Sequence, residues 1–312
     1  MSRVQLGFLC CAGFVTLEAF QAVYLGAVFQ SVDSFLIGSW VFGIAVIGCS
    51  ITTALFRPNE LLASIRAWQT VLILNLLAAL TWSTYFFAVQ LIEPAVVFTI
   101  FSGMVPLGTL IAAWFKMTEA ISSKNRIVLL GNMIILVSLF FLGVITMLGL
   151  SGFTRGGPSI AFLGVMLSAI SGGCTAFVIL YSVRLNRKGV GPLAQFGLRF
   201  VFYTLLAIVA FWLGLDEKSI QTPPLEVATI VLIGLAVIAL PLYLVQKAIP
   251  LVPASTIAAI TALGPGIVFL MQLFDGRVDY SMATLAGLLT YMLGALLAVF
   301  GATKPYTNRK QS

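Results

Sequence analysis

The chain consists of long apolar runs separated by short polar punctuation. Ten such runs can be marked, at 4–29, 33–55, 68–90, 94–115, 127–149, 159–182, 192–214, 226–247, 253–274 and 281–302. Each is about as long as a helix needs to cross a hydrocarbon core roughly 30 Å thick. Transmembrane strands would alternate polar and apolar residues over about ten positions, and these runs do not. The pattern predicts an all-α membrane protein with ten transmembrane helices. A Gly- and Ser-rich linker, Ser151 to Ser159 (SGFTRGGPS), divides the runs five and five. Residues 1–150 and 159–304 are therefore expected to be two five-helix units, followed by a tail at 305–312. Because five is odd, the second unit must sit in the membrane with the opposite orientation to the first.

One stretch is written twice. Pro94 to Trp114 (PAVVFTIFSGMVPLGTLIAAW) and Pro253 to Leu273 both open on Pro-Ala, and both reach a second proline twelve residues later, at Pro106 and Pro265. That position is about 18 Å along a helix, near the middle of a bilayer core. A proline cannot donate to the carbonyl four residues earlier, so the spacing predicts freed carbonyls at Ser102 and Thr261 and a helix break in each copy. Gly103, Gly264 and Gly266 stand beside these points. Irregular backbone at such depth is tolerated where it is buried in protein or lines a wet cavity. Paired interruptions in corresponding halves point to a transport site; the plainer reading is two kinks made for packing. Val89-Gln90 recurs as Val245-Gln246 just before each copy.

Composition agrees with a membrane protein: 60% of the 312 residues are hydrophobic and only 9% charged, against about a quarter charged in soluble domains. The net charge of +7 does not imply nucleic acid, because the basic residues segregate. Thirteen fall in the N-terminus, the even-numbered loops and the tail, three (Arg155, Lys218, Arg277) in the odd-numbered loops, and Arg199 inside a run. The positive-inside rule then predicts a multi-pass protein of the cytoplasmic membrane with both termini in the cytoplasm. All four cysteines lie within apolar runs, where they behave as small apolar residues. The first run continues to Phe29 and reads as an uncleaved helix, not a signal peptide. Without a histidine in the chain, a His-ligated metal, a His proton relay and a Ser-His-Asp triad are excluded. No metal or other cofactor is expected.

Candidate chemistry concentrates on few side chains. Glu18 lies about 21 Å from one end of its run and about 17 Å from the other, too deep to reach water directly. A charge there costs on the order of 3 kcal/mol on insertion scales, so Glu18 should face protein or a wet cavity, with Gln21 one turn on. The alternative is a protonated carboxyl bonded to a neighbouring helix for structure. Arg199 lies about 10 Å into its run and either snorkels to the interface or faces the cavity as a partner for Glu18 or an anionic substrate group. Asn75, Trp82 and Tyr85 share a face of the third run, as cavity lining or as interhelical glue. Tyr243, two residues beyond Pro241, is similar. Gly164, Ser168, Gly172 and Ala176 recur every four residues and read as close helix packing.

With ten runs, two inverted halves and a central proline in the fourth run of each, the chain resembles the drug/metabolite transporter superfamily in its EamA-like branch. In that family an acidic residue follows the proline by thirteen positions; Glu119 stands there after Pro106, whereas Val278 occupies the matching place after Pro265, with Asp275 nearby. The resemblance implies a secondary carrier with a central cavity between the repeats, moving a small organic metabolite by alternating access, and it alone implies export. Expected partners are the lipid bilayer, a small-molecule substrate and coupled protons at Glu18, with monomer and homodimer both open. A sugar-phosphate or nucleotide-sugar antiporter is a second carrier reading, although it usually needs several intramembrane cations. An intramembrane enzyme lacks a paired nucleophile, acid or base, since Glu18 is the only carboxylate at depth. A channel would predict flux without saturation.

Overall fold

The structure is a computed structural model that describes residues 2–117, 125–216, 218, 222–248, 251–252 and 254–303. Its elements are α1 (Arg3–Val28), α2 (Ser34–Phe56), α3 (Pro58–Arg66), α4 (Trp68–Leu91), α5 (Pro94–Trp114), α6 (Arg126–Met147), α7 (Pro158–Arg187), α8 (Pro192–Arg199), α9 (Val201–Trp212), α10 (Pro224–Ala248), α11 (Ala254–Thr261), α12 (Gly264–Gln272) and α13 (Met282–Thr303). Among the described residues there are no strands beyond an isolated bridge between Ile92 and Thr154. Among the described residues, nine helical segments, counting α8 and α9 as one, are long and apolar enough to cross a membrane. The α11–α12 segment is apolar but shorter.

Local signals explain the boundaries. Ser2 and Gln5 form a reciprocal capping box at α1, while Asp33 accepts from the Leu36 amide and Asn125 from the Ile127 amide to start α2 and α6. Proline opens α3, α5, α7, α8 and α10, where its missing N–H costs nothing. Gly149, Gly189, Gly214 and Gly276 take positive φ at turns that end spans.

Three features depart from the sequence reading. The cytoplasm-assigned segment 57–67 contains a short helix, α3, whose Leu62 and Ile65 are exposed while Glu60 accepts a hydrogen bond from the Gly191 amide at 3.0 Å. The run at 192–214 is not one helix but bends at Phe200, between α8 and α9. Finally, the two proline-marked copies behave differently. Pro106 lies inside an uninterrupted α5, while Pro265 is in the first turn of α12, after a break at Ala262 and Leu263. The expected pair of breaks is one kink and one break.

Loops gather at two ends. At one, Asp279 N donates to Gly152 O (2.9 Å), Arg155 N to Leu91 O (2.8 Å) and Arg277 Nη1 to Gly26 O (2.7 Å). At the other, Lys188 Nζ reaches Thr70 Oγ1 (3.1 Å), Arg184 Nη2 reaches Met117 O (2.8 Å), and Gly7 packs on Leu251 and Val252. The first end carries Lys218 and Arg277, each paired with an aspartate, Asp216 at 2.6 Å and Asp275 at 3.0 Å. The second carries Arg57, Arg66, Arg184, Arg187 and Lys188. Glu119, Lys124, Pro253 and the tail at 305–312 lie outside the described residues.

The main core is largely aliphatic, with an aromatic cluster inside it. Phe42 touches Trp82, Phe200 and Tyr203 with ring centroids 4.4 to 4.9 Å apart, and Phe29 meets Phe86 edge-on at 4.9 Å. Glycines set helix approach. A side chain at Gly131 or Gly294 would collide with the facing helix backbone where α6 and α13 cross, so these helices pack in the close manner of membrane bundles.

Candidate functional site

Helices α1, α4 and α5 line a partly open cavity of about 80 Å³, with Glu18, Gln21, Thr81, Trp82, Tyr85, Phe98 and Phe101 in its wall. Helical spacing accounts for this membership. Glu18 and Gln21 are one turn apart on α1, Thr81, Trp82 and Tyr85 fall within five residues of α4, and Phe98 and Phe101 are one turn apart on α5. The volume admits several waters or a group of a few heavy atoms. Its rings form a continuous wall: Trp82 meets Tyr85 edge-on at 6.1 Å, Tyr85 meets Phe101 at 5.4 Å, and Phe101 lies 6.4 Å from Phe98.

Among the described residues, Glu18 and the Thr81 hydroxyl in this wall have no bonded partner. Glu18 makes no hydrogen bond or ion pair among the described residues, and it lies close enough to Tyr85 to act on it electrostatically. The Thr81 side chain is buried and its Oγ1 is unbonded, while its backbone carbonyl accepts from Ser171 Oγ at 2.9 Å. A buried polar atom without a partner costs about 1–3 kcal/mol, so the cavity is built to receive a hydrogen-bonding guest or water.

The break between α11 and α12 lies just behind this wall. Gly264 approaches Phe98 so closely that a Cβ would stand 2.8 Å from its ring and 3.5 Å from Val15, one turn before Glu18. Pro265 is buried there. Thr261 turns its hydroxyl back to the Ile257 carbonyl (2.9 Å), and Thr109 does the same to the carbonyl of Pro106 (2.7 Å). Ser102 and Pro106 are half-buried on α5 and, like Thr261 and Pro265, are not among the cavity-lining residues.

Three other expectations change. Asn75 is not in the cavity wall: its Nδ2 donates to Leu198 O at 2.8 Å and its Oδ1 accepts from Phe202 N at 3.0 Å. It clamps the bend at Phe200, satisfying backbone groups that the bend frees, and is interhelical glue. Arg199 does not meet Glu18; its guanidinium lies over Phe196 and Phe200 at 5.1 and 4.6 Å, with Nε unbonded. Tyr243 is 60% exposed, with Lys247 over its ring at 5.7 Å, and is not among the cavity-lining residues.

Sequence reading overlooked two polar clusters at the end that holds Gly152. Glu93, with no exposed surface, accepts from Gly152 N (2.7 Å), Thr284 Oγ1 (2.8 Å) and Gln272 Nε2. Gln272 also accepts from Ala95 N at 3.0 Å. Burial pushes the Glu93 carboxyl up, against the lowering influence of these donors. In the second cluster Asp216 accepts from Ser34 N (2.9 Å) and Oγ (2.6 Å) and pairs with Lys218, which also donates to Gln90 Oε1 at 2.9 Å. Both clusters join loops of the first half to loops of the second.

A larger groove of about 460 Å³ runs between α2 and α9, lined by Trp40, Ile44, Ile47, Thr204, Ile208 and Trp212 among others. It has no charged lining residue and its tryptophans are exposed, as expected of a lipid-facing surface.

No family model matches the chain, and no curated protein matches it. A solved structure described only as "Crystal structure of protein" superposes with a TM-score of 0.62 over 99% of each chain at 16% identity. The chain shares the fold of that protein.

Proposed function

We propose that the protein is a secondary active transporter that moves a small organic metabolite across the cytoplasmic membrane by alternating access, in the manner of the drug/metabolite transporters its sequence resembles. In this reading α11 and α12 together form a tenth span, and the two five-helix halves are inverted repeats with both termini in the cytoplasm. The meeting of α12's exit with Gly152, and of the α10–α11 connection with the N-terminal end of α1, supports a crossing by the broken segment. The resemblance favours export.

The observation that carries the proposal is Glu18, a carboxyl without a partner among the described residues, in a small aromatic cavity beside a broken helix. Transporter sites characteristically lie at such interruptions near mid-membrane. The cavity holds no cation to receive a phosphate, which weighs against a sugar-phosphate antiporter. Its lone carboxyl has no second acid, base or nucleophile beside it, which weighs against an intramembrane enzyme.

Glu18 couples transport to protons in this proposal, since a carboxyl that is neutral when dry and ionised when wet carries a proton in only one direction of the cycle. Glu18→Gln keeps shape but removes titration. In reconstituted vesicles with an imposed pH gradient, the Gln variant is expected to lose accumulation while exchange without a gradient survives. Gradient-driven uptake by Glu18→Gln at the wild-type level would refute proton coupling here.

A further inference from the structure

We infer that the Glu18 cavity selects an organic monocation, an amine or quaternary ammonium head on a compact body, over neutral and anionic metabolites. The inference rests on the reading of this cavity as the carrier's substrate site and assigns that site its chemistry.

Three observations converge. First, the only ionisable carboxyl among the lining residues is Glu18, with no lysine or arginine beside it, so the guest must supply any balancing positive charge. Arg199, the arginine well inside the 192–214 run, is engaged over Phe196 and Phe200 instead. Second, four of the other six lining side chains are aromatic: Trp82, Tyr85 and Phe101 meet edge-on in sequence, and Phe98 lies tilted against Phe101. Ring faces carry negative potential and attract cations, and aromatic cages are a recurrent solution for ammonium groups. An anion would meet both a carboxylate and ring faces of its own sign.

Third, the buried Thr81 Oγ1 has no partner, and the Gln21 amide lies in the same wall. A hydroxyl and an amide carbonyl can both accept N–H bonds from a primary or secondary amine once Glu18 has taken its charge. A quaternary head would leave these two acceptors unused but still gain the rings. The size of the cavity, about 80 Å³, suits a head group with a few heavy atoms, with the body of the solute left outside it.

The experiment is titration calorimetry on the full-length protein in detergent with benzyltrimethylammonium, benzylamine, benzyl alcohol and benzoate. Wild-type protein is expected to bind the two cations, and to bind the alcohol and benzoate more weakly by roughly tenfold or more. Glu18→Gln and Trp82→Leu should each weaken the cations by roughly tenfold, while Thr81→Val should weaken benzylamine and leave benzyltrimethylammonium unchanged. Binding of benzoate or benzyl alcohol as tightly as the cations, or no binding of either cation, overturns the assignment on unaltered protein, independently of whether a variant folds. Cation affinity unchanged in a folded Glu18→Gln protein also overturns it. Vesicle uptake separates this inference from the transporter reading. Saturable cation binding without cation uptake keeps the site chemistry and removes the carrier, whereas saturable uptake of an anionic metabolite with no cation binding keeps the carrier and removes the site chemistry.

Discussion

The two proline-marked segments share their spacing but not their backbone. In α5, Pro106 stands between Val105 and Leu107, and the helix runs through it from Pro94 to Trp114. In the second copy Pro265 stands between Gly264 and Gly266, and the chain breaks just before it. A proline removes one hydrogen bond, which a packed helix can absorb as a kink. Two added glycines lower helix preference by about 1 kcal/mol each, which tips the second copy. Packing acts in the same direction. Gly103 lets α5 press on Leu139 of α6 and Gly108 on Ala176 of α7, so α5 is held along its length. Gly264 instead admits Phe98, a cavity wall, into the space beside the break. The comparison teaches that the proline marks the position and its neighbours decide the outcome.

The largest effect is expected from Gly264→Val, which gives the second copy the residue found before Pro106. Its Cβ alone would stand 2.8 Å from the Phe98 ring, and Phe98 is itself buried. Overpacking of this kind costs about 1–3 kcal/mol. The variant should melt several degrees lower in detergent and lose transport in vesicles. Wild-type melting and uptake would mean that the contact between break and cavity has no function.

A smaller, asymmetric effect is expected from alanine in place of each proline. Pro265→Ala allows α11 and α12 to join, so it should reduce transport rate severalfold with little change in melting. Pro106→Ala restores one hydrogen bond in a helix already continuous and should stabilise by up to about 1 kcal/mol with transport near wild type. Equal effects of the two variants on uptake would erase the distinction between kink and break.

Residue patterning made nine of the ten apolar spans legible to within about five residues, because a membrane demands length and composition that few other constraints can disguise; the tenth run, 253–274, is shorter and broken. The cavity was legible in part. Glu18 stood out because a carboxyl at that depth must face protein or a wet cavity, and Trp82 and Tyr85 because they share one face of a single helix. Phe98 and Phe101 carried no signal, since phenylalanine in an apolar span is ordinary wherever it points. Asn75 read equally as site or glue until its partners at Leu198 and Phe202 were visible, and those lie more than a hundred residues away. The Glu93 cluster was hidden for a related reason. An acid in a loop looks solvated, and only the fold brings Gly152, Gln272 and Thr284 onto it.

The smallest expected effect concerns the end where the two segments are tied together. Gln272, the last residue of α12, donates to Glu93 and accepts from the Ala95 amide in the first turn of α5, so the broken helix is pinned to the continuous one. Burial raises the Glu93 carboxyl above its ordinary range. The folded protein therefore holds that proton more tightly than the unfolded chain does. The resulting stability is fully present below the unfolded value of about 4.3 and is lost as pH rises through the raised folded value. Melting temperature in detergent should fall over that interval, by a few degrees at most for one group in a chain of this size. Asp33 is raised as well, by burial first and by Asp216 in part, and adds a slope of the same sign. Glu93→Gln isolates the Glu93 share. Its amide nitrogen would face donors and lower stability at every pH, so the informative quantity is the slope and not the level. A slope reduced in Glu93→Gln and kept in a surface control assigns the titration to the pin between the two helices; a slope unchanged by the substitution would place it elsewhere and leave the pin without a pH dependence.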